Sequence, residues 1–409
     1  MTKQQKSTVA FLSFCFIAYM TTGINSIVQT LINSFPDVSA STVRMTATLP
    51  SLSTLITSLL AGMTVGKKIK FRTSYITACI LFTIGGFMPI FLNSSFGWIL
   101  LSRFIFGCGT GLCLTYNAYA LRYYPRELSS GMMGWALFMC NFGSVVSQLA
   151  AGWLAEIDWR YAFLIYSICP VVLFVIIFML QEPEPAKQND AGAIVSDAGK
   201  RAYSSLIPVY IVFIVLAGLW IGPINSGLST FIFEHDLGGS LVSGIMLSVY
   251  TMAGALSGTV LDHLKKLGRF SVSVVLACVG AGFIIVVLSG SLLQVAVGVA
   301  LCGFGYMIYK PLFTINLSRE VKSSSMTLVS TLLLSSANLG IFLSNAWIKL
   351  SSSFMAKLPG GEIDKSFYGA ALMFTLSAVF FLVYHLVRLE RPGKESGKAL
   401  RAHTGSAQE

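Results

Sequence analysis

Apolar residues in this chain come in long unbroken runs separated by short polar turns. Twelve such runs lie near 9–32, 43–65, 74–93, 98–121, 132–156, 161–181, 206–233, 241–261, 272–290, 292–318, 327–348 and 367–389. Each approaches or exceeds the roughly 20 residues that a helix needs to cross a hydrocarbon layer. The runs do not alternate polar with apolar positions, as barrel strands of about ten residues would. In lipid, backbone polar groups are satisfied only by helices or closed barrels, so the pattern predicts an all-α membrane protein of twelve transmembrane helices. One polar interruption is longer than the rest. Residues 182–205 open with Glu182-Pro183-Glu184-Pro185 and continue through small and polar residues, the composition of a linker. The expected division is a six-helix bundle over 1–181, a linker over 182–205, a second six-helix bundle over 206–389 and a polar basic tail over 390–409.

The two halves repeat each other. Adding 196 to Gly62, Gly107 and Gly109 gives Gly258, Gly303 and Gly305, and adding 196 to Gln29 gives Asn225, another side-chain amide. One residue slips later, so that Asn141-Phe142-Gly143 corresponds to Asn338-Leu339-Gly340 at an offset of 197. The matched residues sit on corresponding runs, which makes the bundles pseudo-symmetric. Repeats of this kind put a binding site between them, near mid-membrane.

Composition narrows the function classes. Hydrophobic residues make up 55% of the 409 and charged residues 11%, against about 25% charged in soluble domains. A net charge of +11 suggests a nucleic-acid partner only if it forms a patch. Here the basic residues gather instead on alternate turns: Lys67, Lys68, Lys70 and Arg72; Lys265, Lys266 and Arg269; Arg388, Arg391, Lys394, Lys398 and Arg401. The opposite turns hold Arg44, Arg160, Lys349, Lys357 and Lys365. By the positive-inside rule both termini face the cytoplasm, so the expected location is the cell (cytoplasmic) membrane and no nucleic-acid partner is expected. The first run is too long for a signal-peptide core and no small-residue cleavage site follows it, so it is expected to remain as a span. All eight cysteines lie in apolar runs without metal-ligand spacing. They read as packing residues, and neither metal nor cofactor is expected. Without a nucleophile–base pair, an enzyme is not expected either.

Several motifs carry a family resemblance. Gly258-Thr259-Val260-Leu261-Asp262-His263-Leu264-Lys265-Lys266-Leu267-Gly268-Arg269 is similar to the G-x-x-x-D-(R/K)-x-G-R-(R/K) loop of the major facilitator superfamily. The first-half copy keeps Gly62 and the basic run from Lys67 and Lys68, but Gly66 stands at the acidic position. Arg103-Phe104-Ile105-Phe106-Gly107-Cys108-Gly109 resembles the R-x-x-x-G-x-G signature of the fourth helix, and Asp158-Trp159-Arg160-Tyr161-Ala162-Phe163 the outer turn after the fifth. The chain thus resembles a transporter of this superfamily over essentially its whole length. The resemblance implies two pseudo-symmetric six-helix bundles, alternating access around a cavity lined by the first, fourth, seventh and tenth helices, and a monomer. It assigns Gly62, Lys67, Lys68, Gly258, Asp262, Lys265 and Arg269 to gating or structural loops. There is one departure in the fifth helix, where Gly143-Ser144-Val145-Val146-Ser147-Gln148 replaces the G-P-x-x-G-G run of antiporters.

Charge inside a span is costly and marks function. Arg103 in the fourth run and Lys310 in the tenth qualify. By the offset of 196, Lys310 corresponds to position 114, eleven residues from Arg103. Eleven residues turn a helix through about 1100°, leaving a net rotation of only about 20°. Both basic groups therefore share one face, which the resemblance turns toward the cavity. They differ in depth by roughly 16 Å, too far to clamp one small anion together. Lys310 reads as the principal charge of a site, and Arg103 as an outer or structural charge. Arg44, at the mouth of the second run, reads as solvated. No Asp, Glu or His occupies the middle of a run, whereas proton-coupled carriers commonly place one there. An anionic substrate can satisfy a buried cation.

Proline marks two expected helix breaks, Trp220-Ile221-Gly222-Pro223-Ile224-Asn225 and Lys310-Pro311, because it removes a backbone bond and frees carbonyls. Asn25, Gln29, Tyr116, Asn117, Trp220, Asn225 and Tyr306 complete the candidate binding set, Tyr306 one turn before Lys310. The competing reading is interhelical hydrogen bonding for the amides and core packing for Trp220. The sequence predicts a secondary or facilitated transporter of a small organic anion held near Lys310, with a coupling proton or counter-anion as the second solute. The alternative is a proton-coupled efflux antiporter for drugs or metabolites, with Glu156 or Glu234 carrying the proton.

Overall fold

A computed structural model describes residues 2–183, 206–318 and 323–389. Over these residues the chain forms twelve helices: α1 Lys3–Ser34, α2 Ala40–Thr64, α3 Phe71–Phe91, α4 Phe96–Tyr123, α5 Arg126–Ala155, α6 Trp159–Met179, α7 Leu206–Glu234, α8 Ser240–Lys266, α9 Ser271–Val287, α10 Leu292–Ser318, α11 Ser323–Phe354 and α12 Glu362–Leu389. Ten contain described segments long and apolar enough to cross a membrane, and α9 is a shorter apolar helix of 17 residues. The turns that follow odd-numbered helices lie at one end of the bundle, here the distal end; Lys3 begins at the other, the terminal end. The linker from 184 to 205, Arg319, Lys322 and the tail from 390 lie outside the described residues, as do the side chains of Asp262, Lys265 and Arg269.

Two hydrophobic cores form. Phe11, Phe14, Tyr75, Phe106 and Tyr166 belong to one, drawn from α1–α6. Phe213, Trp220, Phe283, Phe313 and Phe374 belong to the other, drawn from α7–α12. Lipid is as apolar as leucine, so close approach and polar contacts rather than hydrophobicity hold such helices together. The glycines matched in the repeat supply that approach. A Cβ on Gly107 would overlap Ser53 and Pro50 of α2, and one on Gly303 would overlap the Tyr250 backbone of α8. Likewise Gly143 abuts the Phe16 carbonyl of α1, and Gly340 the Val215 carbonyl of α7. These two glycine pairs are therefore contact points between equivalent helices: α4 on α2 and α10 on α8, α5 on α1 and α11 on α7.

The expected helix breaks are not where proline stands. α7 runs unbroken through Pro223 and α10 through Pro311. Packed neighbours hold a membrane helix together despite one missing N–H. Irregular winding occurs elsewhere. α1 tightens to a 3-10 helix over Met20–Ile27. α4 stops at Cys113 and resumes at Tyr116. The tighter pitch in α1 coincides with Gly23, which lies against the Ser147 backbone of α5 and Ile165 of α6.

Candidate functional site

The site is built where the two bundles meet: α1 on α7 and α8, α2 on α7 and α11, α5 on α8. Short hydroxyl and amide side chains close this seam toward the distal end. Ser229 of α7 donates to the Ser26 carbonyl at 3.1 Å and accepts the Gln29 backbone N–H at 3.3 Å. Thr30 and Ser240 share a hydrogen bond. Asn345 of α11 donates to Thr48 of α2 at 3.1 Å, and deeper in, the Ser58 and Ser335 hydroxyls lie 3.4 Å apart. Gln148 of α5 bonds Ser248 and Thr251 of α8, each at 3.3–3.4 Å. Glu156, just past α5, accepts the Leu241 N–H at 3.0 Å and so caps the start of α8. Gly152 and Gly244 permit this crossing, since a Cβ on either would strike the facing backbone.

Toward the terminal end the seam changes. Past Ser58 and Thr251, no described side-chain hydrogen bond joins the bundles. Neither Lys3–Ala18 of α1 nor Tyr116–Tyr123 of α4 packs substantially on the second bundle. Among the described residues the interface is thus joined by side-chain hydrogen bonds over its distal part.

The predicted residues fall into three settings. Asn25 is buried within the 3-10 stretch of α1. Gln29 sits in the closed part of the seam, its amide donating to Asn33 at 2.9 Å while its Oε1 is buried without a hydrogen-bond partner. Tyr116 is buried with Asn117 and Tyr19 beside its hydroxyl, and Asn117 itself is exposed, directly after the α4 break. Asn225 is half-buried on α7. Trp220 lies in the second core, 3% exposed, its ring 5.6 Å from Phe374 and 6.4 Å from Trp347; it packs the bundle rather than facing a solute.

The two intramembrane cations differ sharply. Arg103 is 0% exposed. Its guanidinium donates to the Thr21 carbonyl at 2.8 Å, the Thr21 hydroxyl at 2.7 Å, the Tyr166 hydroxyl at 3.0 Å and, through Nε, the Thr46 carbonyl at 3.4 Å. The Phe106 and Tyr166 rings lie 5.2 and 5.8 Å away. It ties α1, α2, α4 and α6 into one unit. Lys310 is half-buried, with its Nζ 4.6 Å from the Tyr306 ring centroid, a cation–π distance. Tyr306 itself is buried, and its hydroxyl finds no hydrogen-bond partner among the described residues.

Two residues outside the candidate set acquire clear partners. Arg44, expected in solvent, is 5% exposed and pairs with Glu362 of the second bundle at 3.3 Å. Its charge at the mouth of the second run was visible; its partner, 318 residues away, was not. Glu182, read as part of a linker, accepts the Phe71 and Arg72 backbone N–H groups at 2.8 Å each and caps α3. The loop it secures is the one where Gly66 replaces an acid. Gly66 has φ +76°, and its carbonyl accepts from Arg122 at 2.6 Å. Lys67 and Lys68 are exposed on that turn; a Cβ on Gly258, their loop's counterpart glycine, would meet open space.

No curated protein sequence matches the chain. Solved structures do. One is a bacterial homolog of the human lysosomal transporter Spinster, in an inward-facing and unoccupied conformation, with TM-score 0.68, 16% identity, and 94% of this chain and 95% of that chain covered. A second is an auto-inhibited peptide transporter of the POT family, with TM-score 0.71, 14% identity and coverage of 93% and 96%. A third is the POT family transporter PepTSo, with TM-score 0.72, 11% identity and coverage of 96% and 99%. At these identities the likeness is one of fold. The sequence model of the Major Facilitator Superfamily matches residues 10–345. With that match spanning most of the chain, over a fold of two six-helix sets around one seam, the chain belongs to the major facilitator superfamily.

Proposed function

We propose that this transporter moves a small organic anion, such as a carboxylate, by alternating access, with Lys310 as the charge that receives it. The coarse part follows from family membership: a multi-pass membrane protein that carries a small solute, not an enzyme. The finer part rests on Lys310. It is a half-buried ammonium inside a spanning helix, held over the Tyr306 ring on the section of α10 nearer the terminal end. A positive charge in a low-dielectric site attracts anions far more strongly than one in water. Arg103, the other interior cation, has its donors committed to Thr21, Thr46 and Tyr166. Asn117 adds an exposed amide one turn from the position equivalent to Lys310, and Asn225 a half-buried one on α7. The positive-inside bias favours cytoplasmic termini, which would make the closed distal seam the outer one. A coupling proton or counter-anion completes the scheme, in a monomer.

The test is anion flux in proteoliposomes. Lys310→Ala is expected to lower flux about tenfold or more, and Lys310→Arg to keep part of it, the scale of one lost charge interaction at a polar site. Unchanged flux in Lys310→Ala ends the reading. Thermal-shift screening against carboxylates, sugars, amino acids and cationic dyes identifies the chemical class, because a ligand that binds the folded state raises its stability by mass action.

A further inference from the structure

Three phenol hydroxyls are buried inside the second bundle without a hydrogen-bond partner among the described residues. They belong to Tyr250 of α8 and to Tyr306 and Tyr309 of α10, which are 4%, 2% and 0% exposed. The Tyr309 hydroxyl lies beside that of Tyr306, and Tyr250 is close to both. The Tyr306 and Tyr309 ring centroids are 5.4 Å apart, and the Lys310 Nζ stands 4.6 Å from the Tyr306 ring. Leaving a buried hydroxyl unbonded costs stability, and native structures rarely do so. Phenylalanine would pack the same space without that cost. The repeat shows that a bundle does not need phenols here. Subtracting 196 from the three positions gives Thr54, Thr110 and Cys113. Thr54 donates to the Gly107 carbonyl at 3.0 Å and Thr110 to the Phe106 carbonyl at 3.3 Å, so both first-half hydroxyls are satisfied by backbone. A phenol hydroxyl, held at the far end of a rigid ring, cannot turn back to its own helix as threonine does.

We propose that Tyr250, Tyr306 and Tyr309 donate hydrogen bonds to the substrate held at Lys310, and that the group they select is a planar carboxylate. This rests on Lys310 as the receiving charge and deepens that reading by naming the group recognised. The donors and acceptors match in number. An ionised carboxylate has two oxygens with about four lone-pair sites and no donor of its own. Three phenol hydroxyls and one N–H of Lys310 supply four donors. Hydrogen bonds to an ionised acceptor are about twice as strong as neutral ones, and a low local dielectric strengthens them further. A sulfonate carries one more oxygen, which the four donors leave unpaired. A primary amide offers them a single acceptor oxygen. Charge attraction by Lys310 alone would treat carboxylate and sulfonate alike, whereas a site built from hydrogen-bond donors rejects the ligand that leaves polar groups unpaired.

The experiment is calorimetric titration of the full chain in nanodiscs with acetate, succinate and benzoate, each set against the sulfonate of matching skeleton. At least one carboxylate is expected to bind about tenfold more tightly than its sulfonate, the scale of one hydrogen bond to a charged group. Tyr250→Phe, Tyr306→Phe and Tyr309→Phe are each expected to weaken that carboxylate about tenfold and to narrow its lead over the sulfonate. Because the hydroxyls are unbonded in the empty protein, the same variants are expected to melt no lower than the parent without ligand. Lys310→Ala separates this proposal from the reading beneath it. If Lys310→Ala loses binding while the three phenylalanine variants bind like the parent, Lys310 receives the anion and the tyrosine proposal is overturned. If Lys310→Ala itself binds like the parent, both fall. Phenylalanine variants that melt lower and bind unchanged assign the hydroxyls to ordered water and overturn the proposal, as does a failure of every carboxylate to bind.

Discussion

Leu114-Thr115 of α4 and Lys310-Pro311 of α10 stand at the same place in the repeat, 196 residues apart, and the two helices treat it in opposite ways. α10 contains a proline and continues; α4 contains none and stops. In α4 the Thr115 hydroxyl donates to the Leu112 carbonyl at 2.8 Å, offering the backbone an alternative to the helical ladder. The basic residues on the same faces diverge as well. Arg103 is fully buried and bonds acceptors from three other helices, whereas Lys310 is half-buried with its ammonium over the Tyr306 ring. Pseudo-symmetry governs where helices lie. It does not govern the setting of the interior cations: Arg103 is buried and bonded within the first bundle, and Lys310 is half-buried on the section of α10 nearer the terminal end.

This contrast is open to direct challenge. Arg103→Met removes a buried cation and leaves Thr21, Thr46 and Tyr166 with unpaired oxygens. The expected loss is about 3 kcal/mol, which for a chain of 409 residues is a fall of about 3–4 °C in melting temperature in detergent, and Arg103→Lys should not restore it because a lysine lacks the planar fork. Lys310→Ala, by contrast, should melt close to the parent while losing flux. If Arg103→Met kept its stability and lost only flux, the division of roles between the two cations would be wrong.

The symmetric side of the comparison has its own test. Gly143→Ala and Gly340→Ala each push a methyl into a facing carbonyl, on α1 and α7 respectively. Overpacking of this kind costs about 1–3 kcal/mol, and the two variants should fall in stability by similar amounts. A large cost in one and none in the other, read by thermal unfolding, would show that the repeat is only nominal there. The smallest effect expected is at Glu182→Ala. Losing the cap on α3 should cost about 1 kcal/mol and leave flux nearly unchanged.

Much of the fold was legible beforehand. Run length alone located twelve helices, because lipid tolerates no other continuous solution for an unbroken apolar segment. The glycine matches were legible too, and at Gly107/Gly303 and Gly143/Gly340 the structure gives them one meaning, the closest approach of equivalent helices. Helix irregularity was not legible. Pro223 and Pro311 pointed to breaks that neighbours suppress, while Thr21-Thr22-Gly23 and Leu114-Thr115 carry signals too weak to stand out in an apolar run. Trp220 illustrates a further difficulty: a large aromatic beside a proline fits a binding surface or a core equally well, and only the positions of Phe374 and Trp347 decide between them.

By itself the sequence determined that this chain lives in a membrane, how many times it crosses, that its halves are copies and which interior positions are charged. Those are properties of local composition and spacing, and a bilayer enforces them segment by segment. Only tertiary structure decided that the seam is shut distally, that Arg103 is bound up in one bundle and that Arg44 meets Glu362 across 318 residues. Such pairings depend on how two rigid bundles lean on each other, and no local feature of either partner encodes that.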